Sequence, residues 1–245
     1  MADVHVRIFV TAAAAARALA RDVAKELSAS PRLVLGLPSG RTPVPLYDEL
    51  ARLHARGKAD FRDAITFNLD EFLGLSADHP GSYRAFMRRH LFDRVNLRTS
   101  HIHFLNGAAS DPLAECARYD RAIARAGGID LQILGLGVNG HIGFNEPAPG
   151  LAAATHRVRL TMATRRANAA LFHHRLRDVP KAGLSMGMAT ILRARRIVLL
   201  STGVGKARSV ERMLRGPVTT RVPASFLQLH ANVEVWLDHA AASRL

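Results

Sequence analysis

Asp130-Leu131-Gln132-Ile133-Leu134-Gly135-Leu136-Gly137-Val138-Asn139-Gly140-His141-Ile142-Gly143-Phe144-Asn145-Glu146-Pro147 carries the reading that decides the fold. Its first seven residues form a short, nearly continuous apolar run, the pattern of a strand buried on both faces of a parallel sheet. The four glycines among residues 135–143 then require a tight turn or a close approach of the backbone to a ligand. The spacing matches a dinucleotide fingerprint only loosely, because His-Ile-Gly-Phe-Asn-Glu follows it and not a helix.

The same alternation of apolar runs and helical periods extends in both directions. Val4–Val10 alternates like a half-buried strand, and Thr11 offers an N-cap to an alanine-rich helix reaching about Leu27. Leu33–Leu37 reads as a strand, Val44–His54 as a helix, Ala64–Leu69 as a strand and Ser82–Val95 as a helix with a basic outer face. A strand at His101–Leu105 and a helix at Pro112–Ala126 lead into the opening segment. Beyond it, His156–Leu160 is read as extended, and Thr164–His173 and Lys181–Leu192 as helical. Arg196–Ser201 is a strand, Lys206–Leu214 a helix, Ser225–Leu229 a helical turn and Val233–Leu237 the last strand. This order predicts an α/β fold: a doubly wound, mostly parallel, Rossmann-like sheet flanked by helices, in a single domain 1–245. Residues 147–180 are poorest in buried-strand signal and are expected to form a small mobile flap.

Composition bounds the function. With 48% hydrophobic and 22% charged residues, the chain has the balance of an ordinary globular protein. No apolar run reaches the roughly 18 residues of a membrane span, so no membrane partner is expected. Met-Ala-Asp-Val-His lacks the n- and h-regions of a signal peptide, and the single cysteine, Cys116, has no internal disulfide partner. Both readings point to the cytoplasm. The net charge of +14 arises from 34 Lys+Arg residues, of which only four are lysines. The arginines are scattered and not gathered into a run, so no nucleic-acid partner is expected. A basic surface can still draw in an anionic small molecule.

In an open parallel sheet, ligands bind beyond the carboxyl ends of the strands, which directs attention to four loops. Pro38-Ser39-Gly40-Arg41-Thr42-Pro43 offers hydroxyls, a glycine and a helix N-terminus, either as an anion cradle or as a plain strand-to-helix turn. Asp70-Glu71 places two acids where one can face the cleft as a general base; the alternative is an N-cap or a solvated acid. His141, Asn139, Asn145 and Glu146 crowd the glycine-rich loop, so His141 can shuttle a proton with Glu146 and Asn139 orienting it. In Ser201-Thr202-Gly203-Val204-Gly205-Lys206, the rare lysine reads as a point charge for a phosphate or as a solvated residue at a helix start. No Cys/His spacing suits a metal, and Cys116 has no activating partner in its neighbourhood.

Together these strings resemble the glucosamine-6-phosphate deaminase family, a superfamily shared with the 6-phosphogluconolactonases. The resemblance runs from Leu35-Gly36-Leu37-Pro38-Ser39-Gly40 through Phe67-Asn68-Leu69-Asp70-Glu71-Phe72 and Ser82-Tyr83. It continues through Gly140-His141-Ile142-Gly143-Phe144-Asn145-Glu146-Pro147 and Gly205-Lys206 to Pro223-Ala224-Ser225-Phe226-Leu227-Gln228-Leu229-His230. It implies an aldose–ketose isomerisation coupled to loss of ammonia, with a phosphosugar substrate and no metal or cofactor, in a monomer or small homo-oligomer. It assigns the proton transfer from C2 to C1 to Asp70 and sugar-ring opening to His141, with Glu146 and Asn139 beside it. It assigns the phosphate to Ser39, Gly40 and Thr42 with Lys206.

Three departures from the family pattern stand out. Asn139 occupies a position where some members carry Asp, and an amide cannot stabilise an imidazolium as a carboxylate does. Ala170 stands where many members have a phosphate-binding arginine, and Arg41 stands where a small residue is usual. Arg41 is therefore expected to supply the guanidinium that Ala170 lacks; the alternative is that it points to solvent. The C-terminal extension of allosteric hexameric members is absent from the sequence, so activation by an N-acetylated sugar phosphate is not expected. Galactosamine-6-phosphate deamination, lactone hydrolysis and a non-catalytic sugar-phosphate-sensing domain are the competing functions.

Overall fold

A computed structural model describes residues 4–245. Its strands, numbered along the chain, are β1 (His5–Phe9), β2 (Val34–Leu37), β3 (Ile65–Asn68), β4 (Asp70–Phe72), β5 (Ile102–His103), β6 (Leu131–Gly135), β7 (His156–Arg159), β8 (Ala182–Ser185), β9 (Arg196–Ser201) and β10 (Val233–Asp238). The α-helices are α1 (Ala12–Ala29), α2 (Val44–Ala55), α3 (Tyr83–His90), α4 (Pro112–Arg125), α5 (Met162–Ala167), α6 (Met188–Leu192) and α7 (Ala207–Arg215).

Seven strands form one sheet in the order β1-β10-β9-β6-β2-β3-β5, and every pairing in it is parallel. The apolar runs are the reason. All four residues of β2 are buried, as are five of the six in β9, and only a sheet covered on both faces accommodates such strands. The Thr11 hydroxyl accepts the Ala14 N–H at 3.1 Å, which starts α1. Ala15, Ala16, Leu19, Ala20, Val23 and Leu27 then repeat at helical spacing along its buried face. Burying each of the larger aliphatic side chains contributes roughly 1.5–3 kcal/mol. At the sheet edge β1 is mostly exposed, not half-buried as its alternation suggests. It is held from one side, with the Arg7 guanidinium 4.2 Å from the Trp236 ring and Phe9 at 5.3 Å from the same ring.

From β2 the chain steps outward through β3 to β5, then returns to the other flank of β2 with β6 and winds outward again through β9 and β10. The order therefore reverses between β2 and β6, where only Leu35↔Leu131 and Gly36↔Gln132 pair. Past those residues the two strands separate, leaving a crevice at the topological switch point.

A second, antiparallel sheet, β4-β8-β7, corrects two sequence-based expectations. The expected helix over Lys181–Leu192 is strand β8 followed by the short α6. Pairing with β4 on one side and β7 on the other overrides the weak helical pattern of Ala182-Gly183-Leu184. Asp70-Glu71-Phe72 is no loop: the chain leaves the parallel sheet after Asn68 and enters the second one at Asp70. The expected helix Ser82–Val95 stops at His90 and continues as a 3-10 turn over Phe92–Arg94. Within the expected flap, α5 begins two residues earlier than the pattern suggests, and a 3-10 turn follows at Ala169–Phe172. His173 and His174 then adopt consecutive left-handed conformations, φ 53° and 62°.

Candidate active site

The crevice between β2 and β6 holds a cleft of about 460 Å³. Ser39, Gly40, Arg41, Thr42, Asp70, Asn139, His141 and Lys206 all line it. Of the nine expected site residues only Glu146 stands behind the wall. Among the lining residues Asp70 is the one carboxylate, facing Arg41, Lys206 and His141.

Asp70 and Glu71 are neighbours on a strand, so their side chains diverge. Asp70 is buried beside the cleft and accepts the Ser39 hydroxyl at 3.0 Å. Burial pushes its carboxyl up to about 7; the Ser39 hydrogen bond opposes the shift and the Glu71 charge adds to it. Glu71 turns away and accepts the N–H groups of Phe72, Tyr83 and Arg84 at 2.7, 2.9 and 2.9 Å. Tyr83 and Arg84 open α3, so Glu71 caps that helix together with Ser82, whose hydroxyl takes the Ala85 N–H at 3.0 Å. The capping reading of the acid pair thus falls on Glu71, while Asp70 is the acid that lines the cleft.

The segment 38–43 bends at Gly40, whose φ of +95° is one that glycine adopts without strain. The buried Tyr47 hydroxyl donates to the Pro38 carbonyl from within α2 and fixes the base of the turn. Arg41 reaches the cleft from this turn and Lys206 from the start of α7. Burial lowers the lysine's pKa, and the nearby Arg41 charge lowers it further. Two cations brought this close suit a doubly charged anion.

In the glycine-rich loop the His141 ring lies against Gly137. A Cβ on Gly137 would sit 2.4–2.5 Å from three of its ring atoms, so only glycine fits there. His141 Nδ1 is 3.4 Å from Glu146 Oε2. Asn139 does not reach the ring with its amide. Its Nδ2 donates to Glu146 Oε2 at 2.7 Å, and its Oδ1 accepts the His141 backbone N–H at 3.2 Å. Burial alone would raise the Glu146 pKa, but the contact and charge of His141 and hydrogen bonds from Thr164 and Asn139 hold it down at about 2. The carboxylate partner of His141 is therefore Glu146, while Asn139 braces both.

The sequence did not single out the polar groups contributed by segment 147–180. Thr161 and Thr164 both donate toward Glu146, and Asn168 accepts the Tyr83 hydroxyl at 2.8 Å. The Thr161 hydroxyl accepts the Thr164 N–H at 3.1 Å, so an N-cap signal could have found it; the Tyr83–Asn168 contact has no local signal. Ala170 lines the cleft that Arg41 also enters. Cys116 is buried, and burial raises its thiol to about 11, far from a reactive thiolate. Among the described residues no group of three or more His, Cys, Asp or Glu side chains converges as metal ligands.

A model of the family described as glucosamine-6-phosphate isomerases/6-phosphogluconolactonase matches residues 10–236. Glucosamine-6-phosphate deaminase of Halothermothrix orenii is 48% identical over 223 residues, covering 91% of this chain and 92% of the relative. That of Thermoanaerobacter pseudethanolicus is 45% identical over 221 residues, covering 90% and 87%. A solved structure of a monomeric glucosamine-6-phosphate deaminase superposes with a TM-score of 0.95 at 41% identity, covering 98% of this chain and all of that one. The 6-phosphogluconolactonase of Trypanosoma brucei shares the fold, with a TM-score of 0.73 at 21% identity.

Proposed function

This chain belongs to the glucosamine-6-phosphate isomerase/6-phosphogluconolactonase family, and from that premise we propose that it converts glucosamine 6-phosphate and water to fructose 6-phosphate and ammonia. Asp70 carries the reading. It is a buried carboxylate with a pKa of about 7, the one acid lining a cleft whose other charged side chains are cationic. A base that moves a proton between adjacent carbons works best with its pKa near the working pH.

Each step has a residue. The phosphate lies against Ser39, Gly40 and Thr42, with Arg41 and Lys206 neutralising its charge. His141, paired with Glu146 and braced by Asn139, passes the proton that opens the hemiacetal. Asp70 then takes the C2 proton to leave an enolamine and returns it to C1, which makes an imine at C2. Water adds to that carbon and ammonia leaves, giving the ketose phosphate. None of these steps calls on a metal or cofactor.

Ammonia release from glucosamine 6-phosphate, with galactosamine 6-phosphate as the epimer control and Asp70→Asn as the inactive control, tests the assignment. No ammonia from either sugar sinks it. Ala170 stands where many family members have a phosphate-binding arginine. We assign the lost guanidinium's role to Arg41. Arg41→Ala is expected to raise KM for the phosphosugar about tenfold or more, the loss of one charge-assisted contact; an unchanged KM refutes the assignment.

We further propose that residues 1–245 act as one domain in which segment 147–180 is a mobile flap over the sugar. No helix among the described residues is long and apolar enough to cross a membrane. We place the protein in the cytoplasm, on its lone, buried and unreactive cysteine. A monomer or small homo-oligomer fits the likeness to a deaminase described as monomeric.

A further inference from the structure

Glu146 is gripped from two sides. Its Oε2 faces the glycine-rich loop, with Asn139 Nδ2 at 2.7 Å and His141 Nδ1 at 3.4 Å. Its Oε1 faces α5, where Thr164 Oγ1 donates to it directly and Thr161 Oγ1 lies at 3.3 Å. The hydroxyl protons restrict the arrangement. Thr161 accepts the Thr164 backbone N–H at 3.1 Å, and its hydroxyl lies 3.1 Å from Thr164 Oγ1. A threonine has a single O–H to give. Thr164 spends its own on Glu146, and Thr161 turns its own toward Thr164 or the same carboxylate. The chain of donors therefore ends on Glu146, and Thr164 is the last link.

The contact joins distant parts of the molecule. Thr164 lies 18 residues from Glu146, on a helix anchored elsewhere. Arg165 next to it is buried and donates to the carbonyls of Leu176 and Val179 at 2.8–3.2 Å, tying α5 to its own segment. The placement of Glu146 against the imidazole thus depends on where segment 147–180 sits. Among the described residues, His141 is the one charged or titratable group that pairs with Glu146.

We propose that Thr164, backed by Thr161, is a positioning residue for the His141–Glu146 pair, so that seating of the 147–180 segment sets the geometry of the ring-opening step. The proposal rests on the deaminase reading for its kinetic consequence but not for its structural one. A hydrogen bond to a carboxylate favours the charged form, and its loss lets the carboxylate rotate away from the ring.

Thr164→Val keeps the shape and removes the hydroxyl; Thr164→Ser keeps the hydroxyl and removes the methyl. In Thr164→Val, kcat for ammonia release is expected to fall about tenfold, the equivalent of one hydrogen bond to a charged group, with KM changed less than about twofold. Thr164→Ser is expected to recover most of the loss. Carboxyl 13C NMR supplies the readout that packing alone does not move. The Glu146 midpoint, near 2 in the parent, is expected to rise by about one unit in Thr164→Val and to stay in place in Thr164→Ser. An unmoved midpoint in Thr164→Val, or a kcat loss that serine fails to restore, overturns the proposal. If the parent protein releases no ammonia, the deaminase reading fails while the NMR titration still decides the role of Thr164. Thermal melts of both variants identify any loss that is only unfolding.

Discussion

Asp70 is held where its charge is least comfortable, and that has a consequence for stability as well as for rate. Its folded pKa of about 7 lies above the ordinary carboxylate value of 3.8. The folded state therefore binds the proton more tightly than the unfolded state. Its relative stability on this account is greatest below about pH 4 and falls as the pH rises to 7. Asp70→Asn removes the penalty, so the variant is expected to be inactive yet to melt higher than the parent at pH 8, with the advantage vanishing near pH 4. Scanning calorimetry across that range checks it, and equal melting temperatures at pH 8 contradict the burial argument. In the active parent, kcat/KM is expected to rise with pH through about 7 as Asp70 loses its proton. Glu146 has the opposite sign: its pKa of about 2 makes it a source of stability above 4.5 that is lost as the pH falls toward 2.

At the scale of elements, the central parallel strands β2, β6 and β9 were legible because each is a self-contained apolar run whose burial needs no knowledge of its partner. The carboxyl-end rule then pointed to the four loops, and eight of the nine expected residues line one cleft. Of the antiparallel sheet only β7 was legible, as the extended segment His156–Leu160. Asp70-Glu71-Phe72 and Ala182-Gly183-Leu184-Ser185 are too short and too poor in β-branched residues to read as strands alone, and they acquire that conformation only by pairing across more than a hundred residues. Thr164 was missed for a related reason, since its partner Glu146 lies on a different element. Gly183 is the point where this sheet packs against the Phe144 ring. A Cβ there would lie 2.7 Å from the Phe144 ring and 3.0 Å from the Glu71 carbonyl. Gly183→Val is expected to cost about 1–3 kcal/mol by overpacking, read as a lower urea midpoint with an unchanged m-value. A cost below a few tenths of a kcal/mol would show that the neighbouring ring can yield.

For the whole molecule, the net charge of +14 sets a long-range field that favours the arrival of a phosphosugar dianion. kcat/KM is expected to fall about severalfold between 20 and 200 mM monovalent salt while kcat stays nearly constant, because screening weakens encounter and not chemistry. A kcat/KM indifferent to salt would show that the arginines are too dispersed to steer. The topology has a consequence of another kind. Strand β1, the first strand among the described residues, pairs along its whole length with β10, from His5↔Glu234 to Phe9↔Asp238. It has no other strand neighbour among the described residues, and its aromatic anchor is Trp236. During synthesis β1 must therefore wait, unpaired and carrying Val6 and Ile8, until residue 238 has cleared the ribosome. Between the synthesis of β1 and that of β10 the nascent chain carries an open edge, a period in which chaperone occupancy should be greatest and truncated products most prone to aggregate.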